Sequence, residues 1–268
     1  MPTQQPTQSA LAAYEHLAPF YDDFTAGYDH GAWLADVLAI AEGLQPLGTR
    51  LLDVACGTGK SFTPLLERGW TVTGCDLSPA MVERARAKVL GGARLVVADM
   101  RDLPLLGSFD LVLCADDALN YLADPGDLTA ALSGMARNLA TNGLVVFDLS
   151  TLRTYRTFFA ATEERGAGDV VVTWQGHASP RQEPGSTVEA TVSTAALEDS
   201  SATPRQTVHR QRHFLPEEIL ESLAAAGLEA VAIYGHGLDG RFQQPLDEAV
   251  HTKAVFFARA NRDPKERR

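Results

Sequence analysis

Arg50-Leu51-Leu52-Asp53-Val54-Ala55-Cys56-Gly57-Thr58-Gly59 is the stretch that decides the fold. A short apolar run, Arg50 to Val54, reads as a β-strand, and it empties directly into a glycine cluster, where the backbone can turn sharply and approach a ligand without a Cβ in the way. Downstream, a helix over Phe62 to Arg68 leads to strand-like Thr71 to Cys75, and a helix over Ala80 to Val89 leads to Arg94 to Ala98. Phe109 to Cys114 and Leu144 to Leu149 bracket a further helix. Strands alternating with helices imply right-handed crossovers and a doubly wound, mostly parallel α/β sheet covered on both faces. Upstream, residues 11 to 45 read as helical stretches with a turn near Gly27. Past Ser150 the texture changes: segments 168 to 177, 186 to 197 and 205 to 214 alternate or carry β-branched residues without long helices between them, which predicts an inserted antiparallel layer. A helix from Pro216, with Glu217 and Glu218 in its first turn, runs to Gly227, and Glu229 to Tyr234 and Lys253 to Ala258 read as closing strands.

Composition narrows the function. The 268 residues suffice for one packed α/β domain with a modest insertion, and a hydrophobic share of 45% is ordinary for a globular chain. A formal charge of -11 offers no broad basic field to a phosphate backbone, so nucleic acid is not expected as a partner. The polar opening MPTQQPTQSA lacks the basic start and apolar run of a secretory signal, and no stretch is apolar enough to span a bilayer; no membrane partner and a cytoplasmic location are expected. Cys56, Cys75 and Cys114 form no C-x-x-C pair and sit in or beside strand-like runs, which reads as buried reduced thiols with no metal site.

Nucleotide-binding patterns then compete for the glycine turn. A phosphate-cradling loop needs glycine where Val54 stands, leaving Gly59-Lys60-Ser61 a partial match, and a dinucleotide fingerprint needs a small residue where Phe62 stands. The run LLDVACGTG closely resembles motif I of class I S-adenosylmethionine-dependent methyltransferases, and the resemblance continues in order over roughly the first 150 residues. It implies a Rossmann-like fold, S-adenosylmethionine as cofactor, and Gly57, Gly59, Ala55 and, after the fourth strand, Ala115 close to that cofactor. Asp53 is implied to help hold the loop and the sulfonium end. Asp76, about twenty residues after the glycine turn at the end of the second strand, suits a carboxylate that accepts from both ribose hydroxyls. Ser78 is the better cap for the helix starting at Pro79, which leaves Asp76 for the sugar; Leu77 and Met81 are placed to sandwich the adenine, although Met81 reads equally as core filler. By the same resemblance Asp99 accepts from the adenine amino group and the Met100 backbone N–H donates to the ring.

The acceptor side is less explicit. A sulfonium already activates its methyl group, so the protein has to align a nucleophile, exclude water and manage one proton. The segment Cys114-Ala115-Asp116-Asp117-Ala118-Leu119-Asn120-Tyr121-Leu122 lacks the Asn/Asp-Pro-Pro-aromatic signature of amino-directed DNA enzymes and the Pro-Cys nucleophile of cytosine enzymes. Within the family the chain is most similar to small-molecule enzymes with a V-A-C-G-T-G motif, including glycine N-methyltransferase and the amino-sugar N-methyltransferases of antibiotic pathways; their N-terminal Tyr-Asp, matched by Tyr21-Asp22, forms part of a lid over the cofactor. Amino-sugar enzymes often carry histidine where Tyr121 stands, and that departure puts a nucleotide-sugar acceptor in question. Tyr21, Asp117, Tyr121 and His213 are the catalytic candidates, with Tyr14, His209 and His236 behind them. His209, Gln211 and His213 share one strand face and Arg210 and Arg212 the other, so the former line either a pocket or a solvated surface.

The organisation expected is a lid over 1–30, a cofactor-binding core over 31–150, an inserted layer over 151–216 on the substrate side, closing elements over 217–260 and a solvated tail over 261–268. Arg153, Tyr155, Arg156, Phe158 and Phe159 precede the inserted layer and read as a substrate wall or an interface, the layer being equally suited to pairing two copies into a homodimer. The expectation is methyl transfer to nitrogen, slightly favoured, or oxygen of a small-molecule acceptor in secondary metabolism, such as antibiotic biosynthesis. A cofactor-binding relative without methyl transfer, cyclase-like or regulatory, and a nicotinamide-dependent oxidoreductase stay open.

Overall fold

Leu51 to Val54 are buried without interruption, as a strand covered on both faces must be, and the rest of the main sheet is arranged around them. The computed structural model describes residues 4–197 and 205–261, except for the side chains of 4–9, so most of the expected tail lies outside the described residues. Three N-terminal helices, α1 (Gln4–Leu17), α2 (Tyr21–Phe24) and α3 (His30–Leu44), precede β1 (Arg50–Val54). The alternating core follows as α4 (Thr63–Glu67), β2 (Thr71–Asp76), α5 (Pro79–Val89), β3 (Ala93–Val97), β4 (Phe109–Cys114), α6 (Pro125–Arg137) and β5 (Leu139–Ser150). After α7 (Leu152–Thr157) come β6 (Thr162–Ala167), β7 (Val170–Gly176), β8 (Thr187–Ala196) and β9 (Arg205–Arg212). The chain closes with α8 (Pro216–Ala225), β10 (Leu228–His236), β11 (Phe242–Gln243) and β12 (Lys253–Ala260).

The main sheet runs β11-β10-β12-β5-β4-β1-β2-β3, and the second runs β6-β7-β8-β9 with all pairs antiparallel. Strands β1 to β5 pair in parallel, and β12 and β10 extend the sheet antiparallel. Alternate residues feed opposite layers. Val112, Cys114, Val145 and Phe147 pack with Leu128 and Leu132 of α6 and Ile219 and Leu223 of α8. Their neighbours Leu111, Leu113, Leu144 and Val146 pack with Trp33, Leu34 and Val37 of α3 and Val82 and Ala85 of α5. Trp33 is thus a core residue.

The second sheet has its own core, in which Tyr155, Phe159, Val172, Trp174, Val188 and Val192 meet Leu17 and Phe24. Tyr155 and Phe159 are therefore internal to that layer and form no exposed wall. The N-terminal helices bridge the two sheets, α1 against β9 and α5, α2 against β6.

Two strands escaped the sequence pattern. Thr162-Glu163-Glu164-Arg165-Gly166-Ala167 is polar because β6 is an edge strand paired only with β7. The two-residue β11 is shorter than any periodicity can register. β5 also starts at Leu139, ahead of the expected Leu144, with a register shift opposite Phe109 and Leu111. No helix among the described residues is long and apolar enough to cross a membrane.

Gly176 ends β7 where an added Cβ would lie 2.1 Å from the Phe159 carbonyl oxygen, an atom of the backbone that cannot rotate aside. Gly176→Ala should destabilise the protein by about 1–3 kcal/mol, read as a lowered urea midpoint with an unchanged slope.

Candidate functional site

The turn after β1 is built from left-handed residues, Ala55 at φ 59°, Gly57 at 51° and Gly59 at 84°. Ala55 holds that conformation against a cost of roughly 1–2 kcal/mol; the Cys56 N–H donates to the Cys75 carbonyl of β2 at 2.9 Å and helps to fix it. A cavity of about 970 Å³, its open mouth included, lies at this end of the sheet. Its walls include Tyr21, Asp53, Ala55, Gly57, Asp76, Leu77, Asp99, Met100, Ala115 and Tyr121, brought together from separate strand ends.

Each carboxylate in the wall has a different setting. Asp76 accepts from the Gly57 N–H and the Ser78 N–H, both at 2.8 Å, so it ties the glycine turn to β2. Ser78 Oγ accepts from the Met81 N–H at 3.1 Å and caps α5, as the sequence indicated. Asp53 is almost fully buried, with the Ser61 hydroxyl donating to it at 2.5 Å and no cation beside it among the described residues. Burial pushes its carboxyl up to about 7 despite that hydrogen bond. Asp99 is gripped by Arg101, whose Nη2 donates to Oδ2 at 2.7 Å; burial raises the Asp99 carboxyl, and the Arg101 guanidinium outweighs it and holds it low.

The N-terminal helices close over the cavity through polar latches. Glu15 Oε1 accepts from the Ser78 hydroxyl at 2.6 Å and the Ala80 N–H at 2.9 Å. Asp22 accepts from the Thr58 hydroxyl at 2.6 Å and pairs with Lys88 at 2.5 Å. Lys60 donates to the Thr25 carbonyl and hydroxyl, each at 3.0 Å. Tyr14 and Tyr21 of α1 and α2 face the cavity beneath these latches.

At the far end, Asp116 and Asp117 adopt successive left-handed conformations, φ 59° and 51°, clamped by Asp148. One Asp148 oxygen accepts from the Asp116 N–H at 3.0 Å, the other from the Asp117 N–H at 2.5 Å. Lys253 Nζ sits among Asp148 at 3.2 Å, Asp116 at 3.3 Å and Asp117 at 3.6 Å, and His30 Nε2 lies 2.7 Å from Asp116. Burial would raise the Asp116 carboxyl; Lys253 and His30 hold it well below the ordinary range instead. Asp117 goes the other way, pushed up to about 6 by burial against the pull of Lys253. Asn120 then fixes the following turn, donating to the Arg212 carbonyl at 2.8 Å and accepting from the Ser150 N–H at 2.9 Å. That turn presents Tyr121, whose hydroxyl lies 2.8 Å from His209 Nδ1, with the Tyr14 ring 5.3 Å from its own.

His209, Gln211 and His213 are all buried, so their shared face is interior and the solvated alternative is set aside. His213, however, does not reach the cavity: its Nδ1 accepts from the Gly185 N–H at 3.1 Å and its Nε2 lies 2.8 Å from Glu248. Asp117 stands behind the wall, bonded to Gln211. Met81 is wholly buried and serves as core, and Gly59 packs over the Phe62 ring instead of facing the cavity. His236 is buried against Phe242, 4.9 Å between rings, away from the walls. Sequence reasoning missed Arg101, Lys60, Ser61, His30 and Asp116 in the walls, and Lys253 beneath them. Only Lys60-Ser61 carried a signal, as the remnant of a phosphate-loop pattern.

Residues 51–143 match the family described as methyltransferase domain. The dTDP-3-amino-3,6-dideoxy-alpha-D-glucopyranose N,N-dimethyltransferase of Streptomyces fradiae is 32% identical over 216 residues, which is 80% of this chain and 83% of that protein. The structure of a sugar N-methyltransferase from Streptoalloteichus sp superposes with a TM-score of 0.69 at 30% identity, covering 91% of this chain and 93% of that one. An amino pentose methyltransferase from Micromonospora echinaspora involved in calicheamicin biosynthesis, solved with S-adenosylmethionine bound, gives 0.63 at 26% identity over 87% of this chain and 92% of that one.

Asp53 sets a test of the cavity's electrostatics. The folded protein keeps the Asp53 proton up to about pH 7, whereas an unfolded chain releases it near 4. More protons are bound in the folded state across that window, so stability falls as pH rises through it. Asp53→Asn, which does not titrate, should match the parent near pH 4 and exceed it by about 1–4 kcal/mol above pH 7, measured by urea unfolding across pH without ligand.

Proposed function

Since this chain belongs to the class I S-adenosylmethionine-dependent methyltransferases of small-molecule type, we propose that it methylates the nitrogen of a small amine. S-adenosylmethionine is its cofactor. The observation that carries the reading is the buried Asp53 carboxylate, without a cation of its own and facing the same cavity as Asp76: a positively charged nucleoside satisfies both. Nitrogen is supported by the relatives that are named as sugar N-methyltransferases, and by chemistry, since a neutral amine needs no strong base.

In this reading Asp53 faces the cationic end of the cofactor. Asp76, oriented by the Gly57 and Ser78 N–H groups, keeps its remaining lone pairs for the ribose hydroxyls. Leu77 packs on the adenine, Asp99 and the Met100 N–H recognise its edge, and Arg101 orients Asp99. Bound there, S-adenosylmethionine supplies a sulfonium methyl that a nitrogen lone pair takes up as the carbon–sulfur bond breaks, leaving S-adenosylhomocysteine and releasing one proton to solvent. The chain's own part is alignment: Tyr21 and Tyr14 exclude water from above, and Tyr121, held by the Asn120 turn and His209, positions the acceptor. Asp117 acts through Gln211 on that wall. Residues 1–30 work as the lid, 31–150 and 217–260 as the cofactor core, and 151–216 as the layer backing the acceptor side. We place the reaction in the cytoplasm, where thiols such as Cys56, Cys75 and Cys114 stay reduced, and in a biosynthetic pathway of secondary metabolism.

Calorimetric titration should show micromolar binding of S-adenosylmethionine and S-adenosylhomocysteine and none of NADH. Asp76→Ala should weaken both by about 1.5–3 kcal/mol; unchanged affinity would remove Asp76 from the site. Tyr121→Phe should lower kcat/KM roughly tenfold, the worth of one hydrogen bond, with cofactor affinity held within about twofold; an unaltered rate would take Tyr121 out of acceptor positioning.

A further inference from the structure

The acceptor can be narrowed from the charge of the cavity. Its wall carries Asp53, Asp76, Asp99 and Asp116, and its cations are already engaged. Arg101 grips Asp99 at 2.7 Å and reaches Asp127 at 3.6 Å. Lys60 is turned onto the Thr25 oxygens of the N-terminal segment at 3.0 Å. His30 is held on Asp116. At the acceptor end the single ammonium of Lys253 gathers Asp116, Asp117 and Asp148, so that end is short of positive charge even with His30 included.

The approach beside the cavity follows the same pattern. A surface groove continues past His30 and Lys60, bounded by Asp29, Glu67 and Lys88. Lys88, the other lysine there, is paired with Asp22 at 2.5 Å, and Asp29 is spent on capping α3 by accepting from the Ala32 N–H at 2.9 Å. A nucleoside diphosphate asks for the opposite: guanidinium or ammonium groups with donors to spare, or a ring of open backbone N–H groups. Among the described residues of cavity and groove no lysine or arginine is left without a partner, and the chain as a whole carries -11, which repels a polyanion before contact.

We infer that the acceptor enters as a cationic amine bearing no phosphate, and not as a nucleotide-linked sugar of the kind named for the Streptomyces fradiae relative. The negative acceptor end attracts the ammonium form; its proton passes to water before the nitrogen lone pair is free to take the methyl group. The inference rests on the proposed methyl transfer to nitrogen, and its test keeps the two apart.

The enzyme is first titrated with S-adenosylhomocysteine; absence of binding there brings down the methyltransferase reading before any acceptor is added. The loaded enzyme is then titrated with thymidine diphosphate at low salt, where electrostatic attraction is least screened. No saturable binding up to about 1 mM is expected, and saturable binding below that concentration overturns the inference. In parallel, kcat/KM is compared for dTDP-3-amino-3,6-dideoxyglucose and the methyl glycoside of the same amino sugar. At least a tenfold preference for the glycoside, about 1.4 kcal/mol, is expected, and equal or better turnover of the nucleotide-linked form overturns it. If neither sugar is turned over, the diphosphate titration alone decides.

Discussion

A buried lysine holds the turn after β4 together. Lys253 enters from the first residue of β12 and meets Asp148 of β5, whose two oxygens are committed to the Asp116 and Asp117 N–H groups. Burial alone would strip the Lys253 proton, and the surrounding carboxylates, Asp148 foremost, more than restore it. Removing one partner of such a buried set typically costs about 3–5 kcal/mol, because the others are left as uncompensated charge. The energetic arrangement has a geometric purpose. Two successive non-glycine residues in the left-handed region relax unless something holds them, and here a single carboxylate, itself held by the lysine, fixes both. The Asn120 bonds, the Tyr121 orientation and the His209 contact all follow from where that turn leaves the chain.

Much of this was legible in the sequence, and the divide between what was and was not is physical. The glycine turn, Asp76 with its neighbouring Ser78 cap, and Asp99 were readable because each acts within a few residues of a strand end, where local conformation alone dictates the placement. His30, Arg101 and Lys253 were not. His30 meets Asp116 86 positions away, and Lys253 meets Asp148 across 105; no periodicity encodes such pairings. Arg101 lies beside Asp99, yet whether an exposed-looking Asp-x-Arg becomes a fork or two solvated charges depends on Asp127 arriving from α6. The misplacement of His213 has a similar origin. His209, Gln211 and His213 do share a buried face, but His213 lies just past the end of β9 and its ring is taken by Glu248. Met81 was lost to the simpler demand that α5 fill its own core.

The latches over the cavity are of a different kind. Asp22 with Lys88 and Thr58, and Glu15 with Ser78, are hydrogen bonds and ion pairs that tie α1 and α2 to the cofactor loop and α5. The Asp22 and Lys88 side chains are 40% and 33% exposed, so their pairing contributes little stability in water. Weak polar latches beside apolar anchors, Leu17 and Phe24 in the core of the second sheet, are what the proposed lid role of this segment calls for, since such contacts open locally without unfolding the rest.

The neutral aromatic wall completes the chemical picture. Burial drives the His209 imidazole down to about 4 and pushes the Tyr121 hydroxyl well above its ordinary value, so both stay uncharged at neutral pH. A pair of uncharged hydrogen-bonding groups is a poor base and a good template. That is the economy a sulfonium donor permits: the leaving group is already activated, and what the protein has to provide is a direction for the lone pair and a dry approach. Asp117, Asp148 and Lys253 stand behind the wall, whereas Asp116, paired with Lys253 and His30, lies in it with Tyr121. On the proposed function, an amine held by neutral donors beside an already paired Asp116 loses its proton to water without a carboxylate salt bridge trapping it in the unreactive ammonium form.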